Sequence, residues 1–438
     1  DSLTKLYSRE GFIDAAKKST ETEEGTLYLV GIDRFRDIND SLGHYNGDQL
    51  LIIAAARLRG ILPTEYLLAR TGGDEFAIYA PNVTQDDDVQ LLANRLLQTF
   101  ASPFSMESEN VVIKVSIGVV HVSNDQDVTL WLRNSSIALS NAKQDKARVS
   151  IYSPEMGKAS RHRTKMLARL NKAIELQQFE PFYQPIIDLE SGSTIGAEAL
   201  ARWITDEGII SPLEFIPLAE ETGLIFDIGQ QILHKSCRDT AIAIESGKWS
   251  EDFSIHVNLS VDQLSESGFI DLVKNTLRDT KLPAQNLTLE ITESRIVDND
   301  PTIIDNMLTL KSLGISIAID DFGTGYSSLA YLQKLPFDCL KIDRSFVCKL
   351  EQESLDSSIV AAIVNITKGF KVNLVAEGVE TQQQADLLKQ LQCPLAQGFL
   401  YSRPVPFEQW PTDLINVQKN ANAQQNTKSK QSIKESAT

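Results

Sequence analysis

Basic residues are in short supply: 42 Lys and Arg stand against 59 Asp and Glu in 438 residues, a formal net charge of -17. A chain this acidic is a poor fit to nucleic-acid polymers or anionic membranes, which need a basic face. A small anionic substrate stays open, because bound cations reverse a local field. Cysteine is sparse too. Cys237, Cys339, Cys348 and Cys393 form no CxxC pair and no zinc-ligand spacing. They read as reduced structural thiols of a cytoplasmic protein. These residues carry no signal-peptide pattern, and no apolar run among them approaches the roughly 20 residues that span a bilayer. The remaining composition, 42% hydrophobic and 23% charged, is that of a globular protein. The length suggests two or three domains, each with its own core.

Residues 1–153 read as a small α/β domain. Thr26–Ile32 is a short apolar strand, Gln49–Arg59 and Leu130–Ala142 have helical periodicity, and Glu75–Ala80 and Val111–Val120 alternate as strands. Residues 154–164 are polar and basic and fit a linker. Residues 165–412 form a second domain, opened by a helix with Leu167, Leu170 and Ile174 on one face. Residues 413–438, rich in Asn, Gln, Lys and Ser, are expected to be a disordered tail. Asp1 enters a patterned segment at once without a methionine. The expectation is a piece of a longer protein whose upstream sensory region is missing: cytoplasmic, or the cytoplasmic part of a membrane-anchored sensor.

Eight strand candidates follow between Phe182 and Gly398, near Phe182–Asp188, Thr194–Arg202, Ser254–Asn258, Leu287–Glu290, Ile315–Asp320, Cys339–Lys341, Asn373–Glu377 and Leu395–Gly398. Helical patterns separate most of them. Roughly 240 residues in this rhythm suit a TIM-like (β/α)₈ barrel. Glu198, Asn258, Glu290, Asp320, Asp321, Lys341, Glu377 and Gln397 each sit at or near a strand's C-terminal end. In such a barrel those ends meet at one face, the face that carries the chemistry. Five carboxylates gathered there would repel one another and take up protons unless cations compensated. Oxygen ligands without a cluster of His or Cys favour magnesium or manganese over zinc. Two such ions about 4 Å apart can hold a phosphodiester, activate a water and stabilise the leaving oxygen. The constellation points to metal-assisted phosphoester hydrolysis.

The residues also resemble a known family. Glu198-Ala199-Leu200 with Ala201-Arg202-Trp203 is similar to the signature of EAL-type cyclic di-GMP phosphodiesterases. The likeness continues through Val257–Ser260, Leu289–Glu293, Asp320–Leu329, Leu340–Asp343, Ala376–Glu380 and Gln397-Gly398, in family order. It implies Glu198, Asn258, Glu290 and Asp320 as ligands of a first magnesium or manganese ion. Asp320 would bridge to a second, with Asp321 beside it and Glu377 and Gln397 completing that site. Lys341 would orient the attacking water, and Glu377 is also the implied proton acceptor. Gln184, Leu200, Arg202 and Asn258 fall at substrate contacts. The segment 321–328, with Gly323, Thr324 and Gly325, corresponds to a loop controlling metal binding and dimer contact. Glu293 would brace it, and Glu380 would tie a neighbouring loop. The implied product is linear pGpG, and homodimers are usual in that family.

The N-terminal half resembles a second family, the GGDEF diguanylate cyclases, through Gly72-Gly73-Asp74-Glu75-Phe76 together with Asp1–Thr4, Phe35, Asn39-Asp40, Gly43-His44, Gly47-Asp48 and Ser116–Gly118. Asn39 and Asp48 match a guanine-reading pair, and Lys143 matches a phosphate contact. Three departures stand out. Gly31 replaces a metal-binding aspartate, so Asp74 would hold the metal nearly alone. Ala147 replaces a phosphate-binding arginine, with Arg148 adjacent. Pro63 and Tyr66 replace the arginine and aspartate of a product-inhibition motif. The expectation is a domain without cyclase activity, either binding GTP as an effector or serving dimerisation and packing. Two other readings of the whole chain stay open: a receptor that binds cyclic di-GMP without cleaving it, and a bifunctional cyclase and phosphodiesterase.

Overall fold

The structure is a computed structural model that describes residues 1–20, 24–105, 110–123, 127–144, 147–293, 301–323, 332–350 and 355–411. The expected tail lies outside these residues. The chain divides into two compact units, Asp1–Lys165 and Met166–Thr438.

The first unit is a five-stranded sheet with helices on both faces. Its main strands are β1 (Gly25–Ile32), β2 (Leu67–Gly72), β3 (Glu75–Pro81), β6 (Val115–Val122) and β7 (Val149–Ile151), in the order β2-β3-β1-β6-β7. A small separate hairpin pairs β4 (Phe104–Ser105) with β5 (Asn110–Val111). The single strand expected over Val111–Val120 is therefore two elements. The backbone of residues 112–114 breaks the ladder, and Lys114 turns its carbonyl to the Asp33 N–H at 2.9 Å. Strand β1 is buried throughout because both its faces are covered. Tyr28, Val30 and Ile32 pack under the helices His44–Ile61 and Asp86–Ala101, whereas Leu27 and Leu29 face Arg9–Thr20 and Val128–Gln144.

Residues 154–164, expected as a linker, are helical. They form the first turns of a continuous helix, Pro154–Glu175, and the division between the units falls inside it. Pro154 suits a first helical position. The basic, polar run reads as solvated helix surface, which composition alone does not distinguish from a loop.

The second unit is a closed barrel of β8 (Phe179–Asp188), β9 (Thr194–Thr205), β11 (Ser254–Leu259), β12 (Leu287–Thr292), β13 (Ser316–Phe322), β14 (Cys339–Ile342), β15 (Asn373–Ala376) and β16 (Leu395–Gln397). A short β10 (Gly208–Ile210) extends β9. All eight expected strands are present. One departure is topological: β8 runs antiparallel to both β9 and β16. The link 189–193 is too short for a parallel crossover and makes a hairpin instead. Asp188 Oδ1 accepts the N–H groups of Glu190 and Ser191 at 3.1 and 2.7 Å, and Gly192 turns at φ +72°. Outside the barrel, Leu289, Ile291, Ile317, Ile319, Leu340 and Ile342 pack into the core shared with the helices.

Gly118 sits on β6 where the helix Val128–Gln144 crosses closely. A Cβ there would lie 2.1 Å from the Ser135 carbonyl oxygen and 2.3 Å from the Leu139 nitrogen. Gly118→Ala is expected to destabilise the first unit by roughly 2–3 kcal/mol through overpacking, read as a lower urea midpoint. An unchanged midpoint would contradict this packing.

Candidate active site

Alternation along the barrel strands builds the site. Ile186, Ala318, Cys339, Val375 and Leu395 cluster inside the barrel as an apolar floor. Two residues on from the last four come Asp320, Lys341, Glu377 and Gln397. They share the inward face, one layer nearer the mouth. In the register, Gln184 pairs with Glu198 and Asn258 with Glu290, and side-chain length brings these groups to the others at the mouth.

Lys341 lies at the centre with no exposed side-chain surface. Its Nζ is 2.6 Å from Glu377 Oε1, 2.7 Å from Glu290 Oε2, 3.3 Å from Glu198 Oε2 and 3.4 Å from Asp320 Oδ1. Glu198 is further held by Asn258 Nδ2, which donates to Oε1, and by Gln397 Nε2, which donates to Oε2, both at 2.6 Å. Gln397 Nε2 also donates to Gln184 Oε1 at 3.0 Å, while Gln184 Nε2 donates to the Ser402 carbonyl. Asp321 takes a left-handed φ of +54°, and its N–H donates to Asp320 Oδ1 at 3.0 Å.

Crowding governs the ionisation. Burial, then mutual repulsion that Lys341 only partly offsets, pushes Glu290 and Glu377 well above the carboxylate range. Burial and Asp320 push Asp321 up to about 6. Burial also opposes charge on Glu198, but Lys341 and the hydrogen bonds from Gln397 and Asn258 outweigh it, and its pKa is lowered. Burial disfavours the Lys341 ammonium as well. The surrounding carboxylates reverse that effect and hold the group firmly charged.

One ammonium leaves this cluster short of positive charge, and the donor set fits divalent cations. Asp320, Asp321 and Glu377 each offer an oxygen within 4.8 Å of the others. Gln397 turns its Nε2 to two acceptors, which fixes the amide orientation and leaves Oε1 buried without a hydrogen-bond partner. Glu377 Oε1 touches Lys341 but also lacks hydrogen-bond geometry. An oxygen-rich, anionic site with unmet acceptors suits a hard cation.

Gln184, Leu200, Glu198, Glu377 and Gln397 line a cleft of about 220 Å³. Arg202 does not line it. Its Nη1 donates to the Ala201 carbonyl, and its guanidinium lies over the Phe182 ring at 5.6 Å. Glu293 Oε2 accepts the Gly323 N–H at 2.8 Å, and Gly323 turns at φ +101°. Thr324 and Gly325 lie outside the described residues. Glu380 Oε1 accepts from Arg344 Nη2 at 2.6 Å.

Two residues of the site escaped the sequence reading. Phe399 lines the same cleft, 45% exposed, with the Arg403 guanidinium 4.4 Å from its ring centre. His256 is buried, with Nδ1 2.7 Å from Glu290 Oε1. Burial and then Lys341 push its imidazole down to about 3, so it is neutral. With Glu290 ionised, it donates its Nδ1–H. The available signal for His256 was its place two residues before Asn258 on one strand face.

In the first unit, Gly72 ends β2 and Gly73 and Asp74 form the turn to β3, where Arg70 donates to the Gly73 carbonyl from Nε and Nη2 at 3.0 and 2.7 Å. Lys143 Nζ lies 3.9 Å from Asp74 Oδ2. Asn39 is half-buried on Phe35–Leu42, with its Oδ1 over Gly47, and Asp48 is exposed on the next helix.

The profile of the EAL domain family matches residues 167–404, and that of the diguanylate cyclase GGDEF domain matches residues 1–148. The cyclic di-GMP phosphodiesterase NbdA of Pseudomonas aeruginosa is 36% identical over 414 residues, covering 93% of this chain and 52% of that protein. The bifunctional diguanylate cyclase/cyclic di-GMP phosphodiesterase MucR of the same species is 36% identical over 417 residues, covering 93% of this chain and 60% of MucR. The chain thus spans about half the length of the curated relatives it matches. A solved structure described as the PaMucR phosphodiesterase in complex with c-di-GMP is 42% identical, with a TM-score of 0.54, over 56% of this chain and all of that one. Barrel, acidic mouth and these matches agree: the chain belongs to the EAL domain family and carries a GGDEF domain ahead of its EAL domain.

Proposed function

We propose that the chain hydrolyses cyclic di-GMP to linear pGpG at the barrel mouth, with two magnesium or manganese ions held by Glu198, Asn258, Glu290, Asp320, Asp321, Glu377 and Gln397. The observation that carries this reading is the ring of four carboxylates within 3.4 Å of one buried lysine. Such a cluster is costly to fold and gains its compensation from cations. When bound, the cations supply Lewis acidity and a nucleophilic water at neutral pH. Among the chain's own groups, Lys341 gathers the carboxylates around one ammonium and positions the water. Glu377 takes the water's proton, and Gln184 and Leu200 hold and orient the dinucleotide, with Arg202 reaching it once its guanidinium leaves the Phe182 ring. Relatives named as phosphodiesterases of this messenger support the choice of substrate.

The GGDEF domain, in this reading, binds GTP as an effector of the barrel and makes no cyclic di-GMP, because Gly31 offers no carboxylate. We include homodimerisation and a cytoplasmic setting. The cysteines Cys237, Cys339, Cys348 and Cys393 are all free thiols, and no described helix is long and apolar enough to cross a membrane.

Glu198→Ala removes a ligand and is expected to lower turnover roughly a thousandfold, since metal assistance is worth several kcal/mol. Chromatography of nucleotide products measures it, and wild-type turnover in the variant would overturn the metal assignment. Tight binding of cyclic di-GMP by the unaltered protein without linear product would favour a receptor. His256→Ala leaves Glu290 held by Lys341 at one oxygen only and is expected to weaken Mn²⁺ binding about tenfold, as removal of a ligand's orienting partner does. Titration of the free-Mn²⁺ electron paramagnetic resonance signal reads this, and unchanged affinity refutes the orienting role. GTP is expected to lower the KM for cyclic di-GMP about fivefold, a coupling at the small end of the usual range. A KM indifferent to saturating GTP removes the effector role.

A further inference from the structure

The N-terminal domain departs from a metal-dependent nucleotide site in a specific way. Gly31 offers no carboxylate, and the space where its side chain would begin is filled. A Cβ there would lie 3.1 Å from Lys143 Nζ, 3.3 Å from Lys143 Cε and 3.0 Å from Leu139 Cδ2. The ammonium stands against the backbone of β1 and 3.9 Å from Asp74 Oδ2, the carboxylate left for a cation. Asp33 is engaged by Ser116, whose hydroxyl donates to Oδ1 at 2.9 Å. Among the described residues, the only grouping of three potential metal ligands is in the barrel, at Asp320, Asp321 and Glu377.

Beside this lysine opens a cavity of about 890 Å³. Arg34, Lys114, Lys143 and Arg148 line it against Asp33 and Asp37, so cations outnumber anions. Arg148 thus enters the wall next to the position where Ala147 stands. A triphosphate ordinarily brings magnesium to balance its charge. Fixed ammonium and guanidinium groups can provide that balance instead, as point charges and as hydrogen-bond forks.

We infer that Lys143 takes the place of the divalent cation in this domain, so that the cavity binds the phosphate chain of a nucleoside triphosphate without magnesium. The inference rests on the GTP-binding reading, of whose residues Lys143 lines this cavity, and deepens it. A site of this kind holds its ligand without activating it. With the ammonium in that place no metal draws charge from the phosphate ester, and the cavity's two carboxylates, Asp33 and Asp37, are outnumbered by its cations.

The test is calorimetric titration of the full chain with GTP, once in excess EDTA and once in magnesium. Affinities within about threefold of each other are expected, a difference under 1 kcal/mol. Lys143→Ala in EDTA should weaken binding about tenfold, the loss of one charge-assisted contact. Its unfolding midpoint should not move, because the side chain is 38% exposed. Inorganic tripolyphosphate should compete with GTP in EDTA, since the phosphate chain is the part recognised. Binding that requires magnesium overturns the inference and leaves the GTP reading standing. No binding in either buffer overturns both. A Lys143→Ala variant with full affinity in EDTA, or tripolyphosphate that fails to compete, also overturns it.

Discussion

Too many carboxylates share one buried lysine, and the rest of the barrel is arranged around that imbalance. Lys341 contacts Glu198, Glu290, Asp320 and Glu377 and has no route to solvent. Coulomb attraction to one ammonium cannot neutralise four anions, so the cluster either binds protons or recruits cations. The upward push on Glu290 and Glu377 and the firm charge on Lys341 are two sides of this shortage. A stable fold alone would have no use for it. The arrangement is sacrificed stability concentrated at a functional mouth, the usual relation between strained sites and activity.

Two structural devices make the imbalance tolerable. One is layering: Ala318, Cys339, Val375 and Leu395 sit two residues before Asp320, Lys341, Glu377 and Gln397, so a dry floor supports each polar group. The other is a set of neutral hydrogen-bonding partners. Asn258 and Gln397 hold both oxygens of Glu198, and His256 holds the Glu290 oxygen that Lys341 leaves free. These partners fix carboxylate orientation without adding charge. A ligand set must be preorganised in this way if cation binding is not to wait on side-chain ordering.

The N-terminal domain has a cavity with the opposite charge balance. Its cavity is lined by more cations than acids, and Lys143 stands against Gly31, where an added side chain would have to displace it. The same chain therefore carries one pocket that is short of positive charge and another that supplies it. The barrel's charged groups follow strand alternation, whereas the cavity's come from the helices, turns and loops around its sheet.

Much of this was legible in the sequence. Eight apolar strand signals, spaced by helices, sufficed for the barrel, and carboxylates at successive strand ends marked its mouth. The helix through 154–164 was missed because polar, basic residues suit a solvated helix face as well as a loop. The antiparallel β8 was missed because strand periodicity carries no direction, although the short link 189–193 did. His256 was passed over because a lone histidine in a strand is usually core. What the sequence determined by itself was the list of acids, their order and their period-two register with the apolar floor. What only tertiary structure decided was distance: that Lys341 lies within hydrogen-bonding reach of Glu290 and Glu377, that His256 meets Glu290, and that Lys143 fills the space above Gly31. These contacts join residues tens of positions or more apart, and they exist only once closure of the barrel, or packing of a helix on its sheet, has fixed every neighbour at once.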